Sequence, residues 1–356
     1  MRVVWSVREL KALTLALSHR SGCIIFPYNF PLSPSTVMSN TIDARSLFAG
    51  KEVGKSFRNQ NTIAESVSLT GFGFWTGKDV TIQFRPAPPH SGIIFVRSDI
   101  FGHPRIPALV CNREEKPRQT SLVVRGARVD MVEHVLAALH GLRIDNCEIW
   151  VDQAEMPGFD GSSQVFVTAL DGAGIVPQPA KRPVRVVTRA FHVGDKKSYL
   201  IVTTNRRGNC EFQYTLIPEA NYPIQTQRCQ IEVTPETFRE ELAMTRTFIA
   251  RHEADALLAQ GLCQRVTPQN VLVLTEEGPL ENNFLYENEC ARHKTLDMVG
   301  DFALLGCDLV GTFESFRGGH SLTAECVRQL LEKTMLLDPE SVGQSCQEQD
   351  CFREAA

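Results

Sequence analysis

The stretch Gly172-Ala-Gly-Ile-Val-Pro-Gln-Pro-Ala-Lys-Arg-Pro183 divides the chain into two nearly equal folded halves. Glycine and proline punctuate it so densely that it reads as a linker between compact units. Working outward, each half carries strand-like alternation followed by helical periodicity. Val80, Ile82 and Phe84 point one way while Thr81, Gln83 and Arg85 point the other, as on a half-buried strand. Residues 146–152 and 211–216 repeat that pattern. Between them, residues 131–142 place Val132, Val135, Leu136 and Leu139 on one helical face. Thr234-Pro235-Glu236 reads as a capped helix start, and residues 253–260 as a helix stopped by Gly261. Residues 289–305 form the strongest helical pattern, ending at Gly306. Strands followed by helices in both halves predict α+β layers.

Composition excludes several classes. The chain has 356 residues, 43% hydrophobic and 22% charged, with a net charge of −4. That balance is neither disordered nor fibrous, and it offers no general attraction to nucleic acid. No apolar run approaches the roughly 18–20 residues of a membrane span. Eleven cysteines show neither a CxxC motif nor tight spacing. They read as buried free thiols in a reducing compartment rather than as a disulfide framework. Residues 1–60 stand apart, with eight Lys/Arg, three acidic residues, eight serines and no sustained period. They read as a dispensable extension, an Arg- and Ser-rich organelle transit peptide, or a consequence of starting before Met38. Residues 336–356 read as a polar tail.

Three short segments carry side chains suited to chemistry. In Arg292-His-Lys-Thr-Leu-Asp-Met-Val-Gly-Asp301, His293 and Asp297 are four residues apart, and Asp301 continues the stripe one turn later. An imidazole and a carboxylate at that spacing share a helix face, as two ligands of one divalent metal or as a simple surface pair. In Val132-Glu-His-Val-Leu-Ala-Ala-Leu139, Glu133 and His134 point about 100° apart, so one can ligate a metal while the other reaches nearby water. A charged pair at a helix edge gives the same pattern. Arg317-Gly-Gly-His-Ser-Leu322 presents His320 after two glycines, either for close approach to a ligand or as an ordinary turn. Two histidines, one aspartate and an open position would make a hydrolytic zinc site.

Taken in order along the chain, these segments resemble a known family. Val132 to Leu139, Ile144-Asp-Asn146, Pro157-Gly-Phe-Asp-Gly-Ser162, Thr245-Arg-Thr-Phe248, Gln260-Gly-Leu-Cys263, Arg292 to Asp301 and Gly319-His320 are similar to motifs of the UDP-3-O-acyl-N-acetylglucosamine deacetylases. Gly71-Phe-Gly-Phe-Trp-Thr-Gly-Lys78 and Arg85-Pro-Ala-Pro88 resemble that family's N-terminal signature. The likeness spans about residues 63–333.

The resemblance implies two similar α/β-layer domains, residues 61–178 and 183–335, packed as a sandwich with the active site between them. An insert at about residues 249–271 would form an apolar tunnel for the substrate acyl chain. It implies zinc (Zn2+), or iron(II) (Fe2+) on the same donors, held by His134, His293 and Asp297. Glu133 would be the general base, and His320 the cationic histidine that steadies the oxyanion and the leaving amine. Asp301 would orient and charge His320, and Thr247 would lie near the tetrahedral oxygen. Phe248 would pack on the sugar and Lys294 would position the substrate. The implied reaction removes the N-acetyl group of a UDP-3-O-acyl-N-acetylglucosamine to acetate, the committed step of lipid A synthesis. The implied protein is a cytoplasmic monomer without nucleic-acid partners or stable membrane insertion. Other readings are a zinc amidohydrolase acting on another acylated amino sugar, and a non-catalytic acyl-sugar binder. The chain departs from the family pattern at Phe74-Trp75, where Leu-His is usual, at Arg265-Val266, where Gly-Gly is usual, and at Ser162-Ser163, where Ser-Ala is usual.

Overall fold

The computed structural model describes residues 57–218 and 222–339. The expectations for residues 1–56 and for the tail from residue 340 lie outside the described residues. Mixed helix and strand run through the chain, as the α+β reading requires.

The first half is built on a five-stranded sheet in the order Val67–Phe72, Asp79–Pro86, Cys147–Val151, Ile93–Arg97, Arg105–Pro107. Its alternation is that of a sheet with one covered face: Val80, Ile82 and Phe84 are fully buried while their neighbours Asp79 and Thr81 are exposed. Helix α1 (Glu133–Gly141) and helix α2 (Gln164–Gly172) belong to this half. Helix α1 begins later than its apolar pattern suggests. Met131 has φ 58°, outside helical space, so the turn into the helix occupies residues that look periodic.

The stretch expected to be a linker is instead largely a strand. Ile175–Lys181 pairs antiparallel with Asn59–Ile63 in a two-stranded ribbon. Both of its strands are edges, so Pro177 and Pro179 can turn their missing donors away from the ladder, which hides this strand from composition-based reading. The ribbon is fastened by charge. Arg58 donates to both carboxylate oxygens of Asp145 and both of Asp308, and Arg182 lies 3.0 Å from Asp145. Residues 57–60 are therefore integrated into the fold, although the sequence assigns them to the extension.

The second half holds a seven-stranded sheet whose central member is the long strand Asp308–Phe316. It pairs antiparallel with Tyr199–Thr203 and parallel with both Val184–Val186 and Cys210–Leu216. Met335–Leu337 adds an edge strand against Val184–Val186. The helix expected from Thr234 is a single capped turn, Pro235–Thr237, that continues as a wider π turn, Phe238–Leu242. Helix α3 (Arg251–Ala259) follows the strand Phe248–Ala250, which pairs parallel with Leu272–Thr275. Helix α4 (Glu289–Phe302) runs into a short 3-10 turn closed by Gly306 at φ 72°. Helix α5 (His320–Lys333) starts directly after Gly319.

One apolar cluster includes residues of both halves, with Leu136 and Leu139 of α1 among its members alongside Val299 and Phe302 of α4. Phe302 meets Phe212 edge-on at 5.0 Å between ring centroids. Helices α1 and α4 approach so closely that a Cβ on Gly300 would lie 2.0 Å from the Glu133 carbonyl oxygen. Only glycine allows that approach, and it brings the start of α1 against the C-terminal part of α4. Among the described residues, no helix is long and apolar enough to cross a membrane. Eight described cysteines are free, and five of them are buried. Burial pushes the Cys147 and Cys290 thiols up to about 12, which keeps them protonated and inert.

Candidate metal centre

The close approach of α1 and α4 sets the geometry of the site. His134 sits in the first turn of α1, and His293 and Asp297 occupy successive turns of α4. His134 Nε2 lies 3.4 Å from Asp297 Oδ1, and His293 Nε2 lies 3.6 Å from the same oxygen. All three donor atoms fall within 4.8 Å of one another. Donors about 2.1 Å from a tetrahedral cation sit roughly 3.4 Å apart, so the set fits one zinc-sized ion. The site is nearly dry, with His134, His293 and Asp297 respectively 7%, 2% and 6% exposed.

The surroundings prepare each donor. His293 Nδ1 donates to the Thr245 carbonyl at 3.1 Å, which leaves the Nε2 lone pair facing the other two donors. Burial lowers the His293 pKa to about 3, against the opposing pull of Asp297, so the ring is neutral, the form that binds metal. Asp297 is buried, which alone would raise its pKa. The Lys294 ammonium first, and then the His134 contact, outweigh this and hold it well below the usual carboxylate range. Lys294 Nζ donates to Asp297 Oδ2 at 2.8 Å, leaving Oδ1 toward the imidazoles. Despite its burial, Lys294 is held firmly charged by Asp297.

Around this centre the other sequence-derived candidates converge. Glu133 is 4% exposed, and its pKa is raised by burial, which outweighs the nearby imidazoles. His320 Nδ1 lies 2.8 Å from Asp301 Oδ2, in an ion pair with almost no solvent access. Burial would lower the His320 pKa, but the charge and hydrogen bond of Asp301 overcome it and carry it up to about 9. The Thr247 hydroxyl lies 3.3 Å from His293 Nε2 and donates to the Gly161 carbonyl at 3.1 Å. That crossing depends on Gly161, whose φ is 77° and where a Cβ would strike the Asn270 carbonyl at 2.5 Å. Phe248 meets the His293 ring edge-on at 6.2 Å, and Lys294 Nζ lies 5.7 Å from the Phe248 centroid.

Three further participants were given no role by the sequence: Thr120 and Glu155 carry no sequence signal, and Thr245 is seen there only as part of a family-like motif. Thr120 donates its hydroxyl to Asp301 Oδ1 at 2.6 Å, and its backbone N–H donates to Glu133 Oε2 at 2.9 Å. One residue thus joins the carboxylate beside His320 to the carboxylate beside His134. Thr245 supplies the carbonyl that sets the His293 tautomer. Glu155 is buried and accepts from the Trp75 and Thr76 backbone amides at 2.8 and 2.9 Å, holding the turn that bears Phe74 and Trp75. All three act through backbone or through a contact distant in sequence, which neither spacing nor residue type discloses.

The centre opens into a cavity of about 1060 Å³. Glu133, His134, His293, Lys294, Asp297 and His320 form its polar end. Ile249, Ala254, Leu257, Leu258, Val266 and Val271 of the 249–271 segment contribute apolar wall. Leu257 and Leu258 on α3 therefore face the cavity. A dry metal-ligand set beside a cationic imidazole, at the end of a largely apolar cavity, suits hydrolysis of a polar bond in a substrate with an apolar arm.

Comparison with known proteins adds the family. A family model described as UDP-3-O-acyl N-acetylglycosamine deacetylase matches residues 60–332. A protein of Anaeromyxobacter sp. (strain Fw109-5) named UDP-3-O-acyl-N-acetylglucosamine deacetylase is 36% identical over 280 residues, covering 78% of this chain and 90% of the relative. A protein of the same name from Brucella melitensis biotype 2 is 36% identical over 280 residues, covering 76% of this chain and 95% of the relative.

Proposed function

Because the chain belongs to the UDP-3-O-acyl N-acetylglycosamine deacetylase family, we propose that it hydrolyses the acetamide of UDP-3-O-acyl-N-acetylglucosamine at a zinc centre held by His134, His293 and Asp297. The products are acetate and the free amine, and the reaction belongs to lipid A biosynthesis. The observation that carries the metal reading is the meeting of those three donors, within 4.8 Å of one another, from two helices more than 150 residues apart in sequence. A cation bound there supplies Lewis acidity, lowering the pKa of water and polarising the amide carbonyl.

The chain's own groups do the rest. Glu133 takes the proton of the attacking water, a task suited to a buried carboxylate with a raised pKa. His320, cationic at neutral pH, faces the negative charge that develops on the carbonyl oxygen and delivers a proton to the departing amine. Asp301 keeps that imidazole charged and oriented. Thr247 adds a hydroxyl on the metal side, Phe248 offers a ring face to the sugar and Lys294 fixes substrate by charge. The 249–271 segment receives the acyl chain, and residues 61–178 and 183–335 act as the two layers that enclose the site. The protein works in the cytoplasm, where its nucleotide-sugar substrate and free thiols both belong.

The deciding experiment joins metal analysis to acetate release. Purified protein should hold about one zinc per chain, turn over UDP-3-O-acyl-N-acetylglucosamine, lose activity on chelation and regain it with zinc. Metal-replete protein with no acetate release from that substrate would sink the proposal.

The His320–Asp301 pair sets a pH dependence. The folded-state pKa of about 9 lies above the ordinary imidazole value of 6.5, so the proton is held through neutral pH. Turnover should fall as pH rises through about 9, when the cation is lost. The pair's contribution to stability follows the same sign, complete below 6.5 and gone above 9. Asp301→Asn should move the alkaline fall in kcat/KM toward the ordinary imidazole value, and an unmoved limb would exclude His320 as its source.

A further inference from the structure

Two wall segments of the cavity are held together from outside it. The turn at residues 73–78 contributes Phe74 and Trp75, and the loop after α3 contributes Cys263, Val266, Thr267 and Pro268. Arg265, in the middle of that loop, is not part of the lining. Its Nη1 donates to the Gly77 carbonyl and to Asp79 Oδ1, both at 2.7 Å, and its guanidinium lies 4.4 Å from the Phe72 ring centroid. Its aliphatic stem closes on Gly77, with Cδ 3.4 Å from where a Cβ would stand.

We propose that Arg265 is a positioning residue for substrate selection: by clamping the post-α3 loop to the 73–78 turn, it sets the gap between two apolar wall segments and so the apolar group the cavity accepts. The claim rests on the deacetylase reading for the identity of that group, the 3-O-acyl chain. An exposed ion pair alone contributes little, and Asp79 is 79% exposed. Here one guanidinium also holds a backbone carbonyl and a ring face, and its planar fork suits that combination as an ammonium does not. The turn it grips is stiff. Glu155 pins the Trp75 and Thr76 amides and the Thr76 hydroxyl, so the clamp moves the loop to the turn rather than the reverse. A methylene more or less in an apolar pocket changes discrimination about tenfold or more, so a small change in this gap has a measurable consequence.

The test compares parent, Arg265→Ala, Arg265→Lys and Asp79→Ala enzymes on UDP-N-acetylglucosamines carrying 3-O-acyl chains of increasing length. In Arg265→Ala the kcat/KM ratio of the longest chain to the preferred chain should rise by about tenfold, mostly through KM. Asp79→Ala should shift the ratio less, because the Gly77 and Phe72 contacts persist, and Arg265→Lys should restore part of the parent selectivity. Hydrogen exchange of the 261–267 amides should quicken in Arg265→Ala, a readout independent of turnover. Active variants with an unchanged chain-length ratio would overturn the proposal, as would unchanged exchange in the loop. A parent enzyme inactive on every chain would instead defeat the deacetylase reading, while the exchange measurement would still judge the clamp.

Discussion

Glu133→Gln should keep its metal and lose about 10²–10⁴-fold in kcat, the range expected when a general base is removed. Glutamine preserves the size of the side chain and can still accept from the Thr120 amide, which lies 2.9 Å from Glu133 Oε2. It cannot take a proton. The neighbouring donors His134, His293 and Asp297 are untouched, so zinc content should match the parent. The loss should appear in kcat and kcat/KM together, because a base acts in the transition state and not in ground-state binding. Glu133 is suited to the role by position as well as type. It is the first residue of α1, beside His134 and within the buried end of the cavity. Full turnover in a metal-replete Glu133→Gln enzyme would show that another group removes the proton.

The part of this arrangement that the sequence discloses is the part with a local period. His293 and Asp297 share a helix face because four residues make about one turn, and the strand at residues 79–86 alternates because one face of its sheet is covered. That His134 meets them is not a local property. It follows from a glycine on α4 packed against a carbonyl on α1, and nothing near His134 signals that pairing. Motif order, through family likeness, bridges the gap. Thr120 remained hidden because its contribution is one amide and one hydroxyl, each bonded to residues far along the chain. The strand Ile175–Lys181 escapes a sequence reading because its prolines, normally breakers, lie in a ribbon with free edges. The Arg265 loop shows the opposite case. Its departure from the family pattern is visible in sequence, but its meaning appears only when the guanidinium is seen gripping Gly77.

Gly300→Ala should destabilise the fold by about 3 kcal/mol or more, at the upper end of ordinary overpacking. The new methyl would stand 2.0 Å from the Glu133 carbonyl oxygen and 3.2 Å from the Ala137 amide nitrogen. Both obstacles are backbone, so no side-chain rotation relieves the clash and α1 must move off α4. The alanine's better helix propensity, worth about 1 kcal/mol, opposes the effect but does not cancel it. Tm should fall by roughly 5–10 °C. The same movement separates Glu133 and His134 on α1 from Asp297 and Asp301 on α4. Zinc affinity and turnover should therefore fall even at temperatures where the protein stays folded. Gly141→Ala gives a useful contrast. It also meets a close neighbour, the Phe238 ring at 2.3 Å, but at the far end of α1 from the donors. It should lower Tm with less effect on metal affinity. A Gly300→Ala protein with parental Tm and parental zinc affinity would mean that the two helices can part without disturbing the centre, and the close crossing would lose its role in assembling the site.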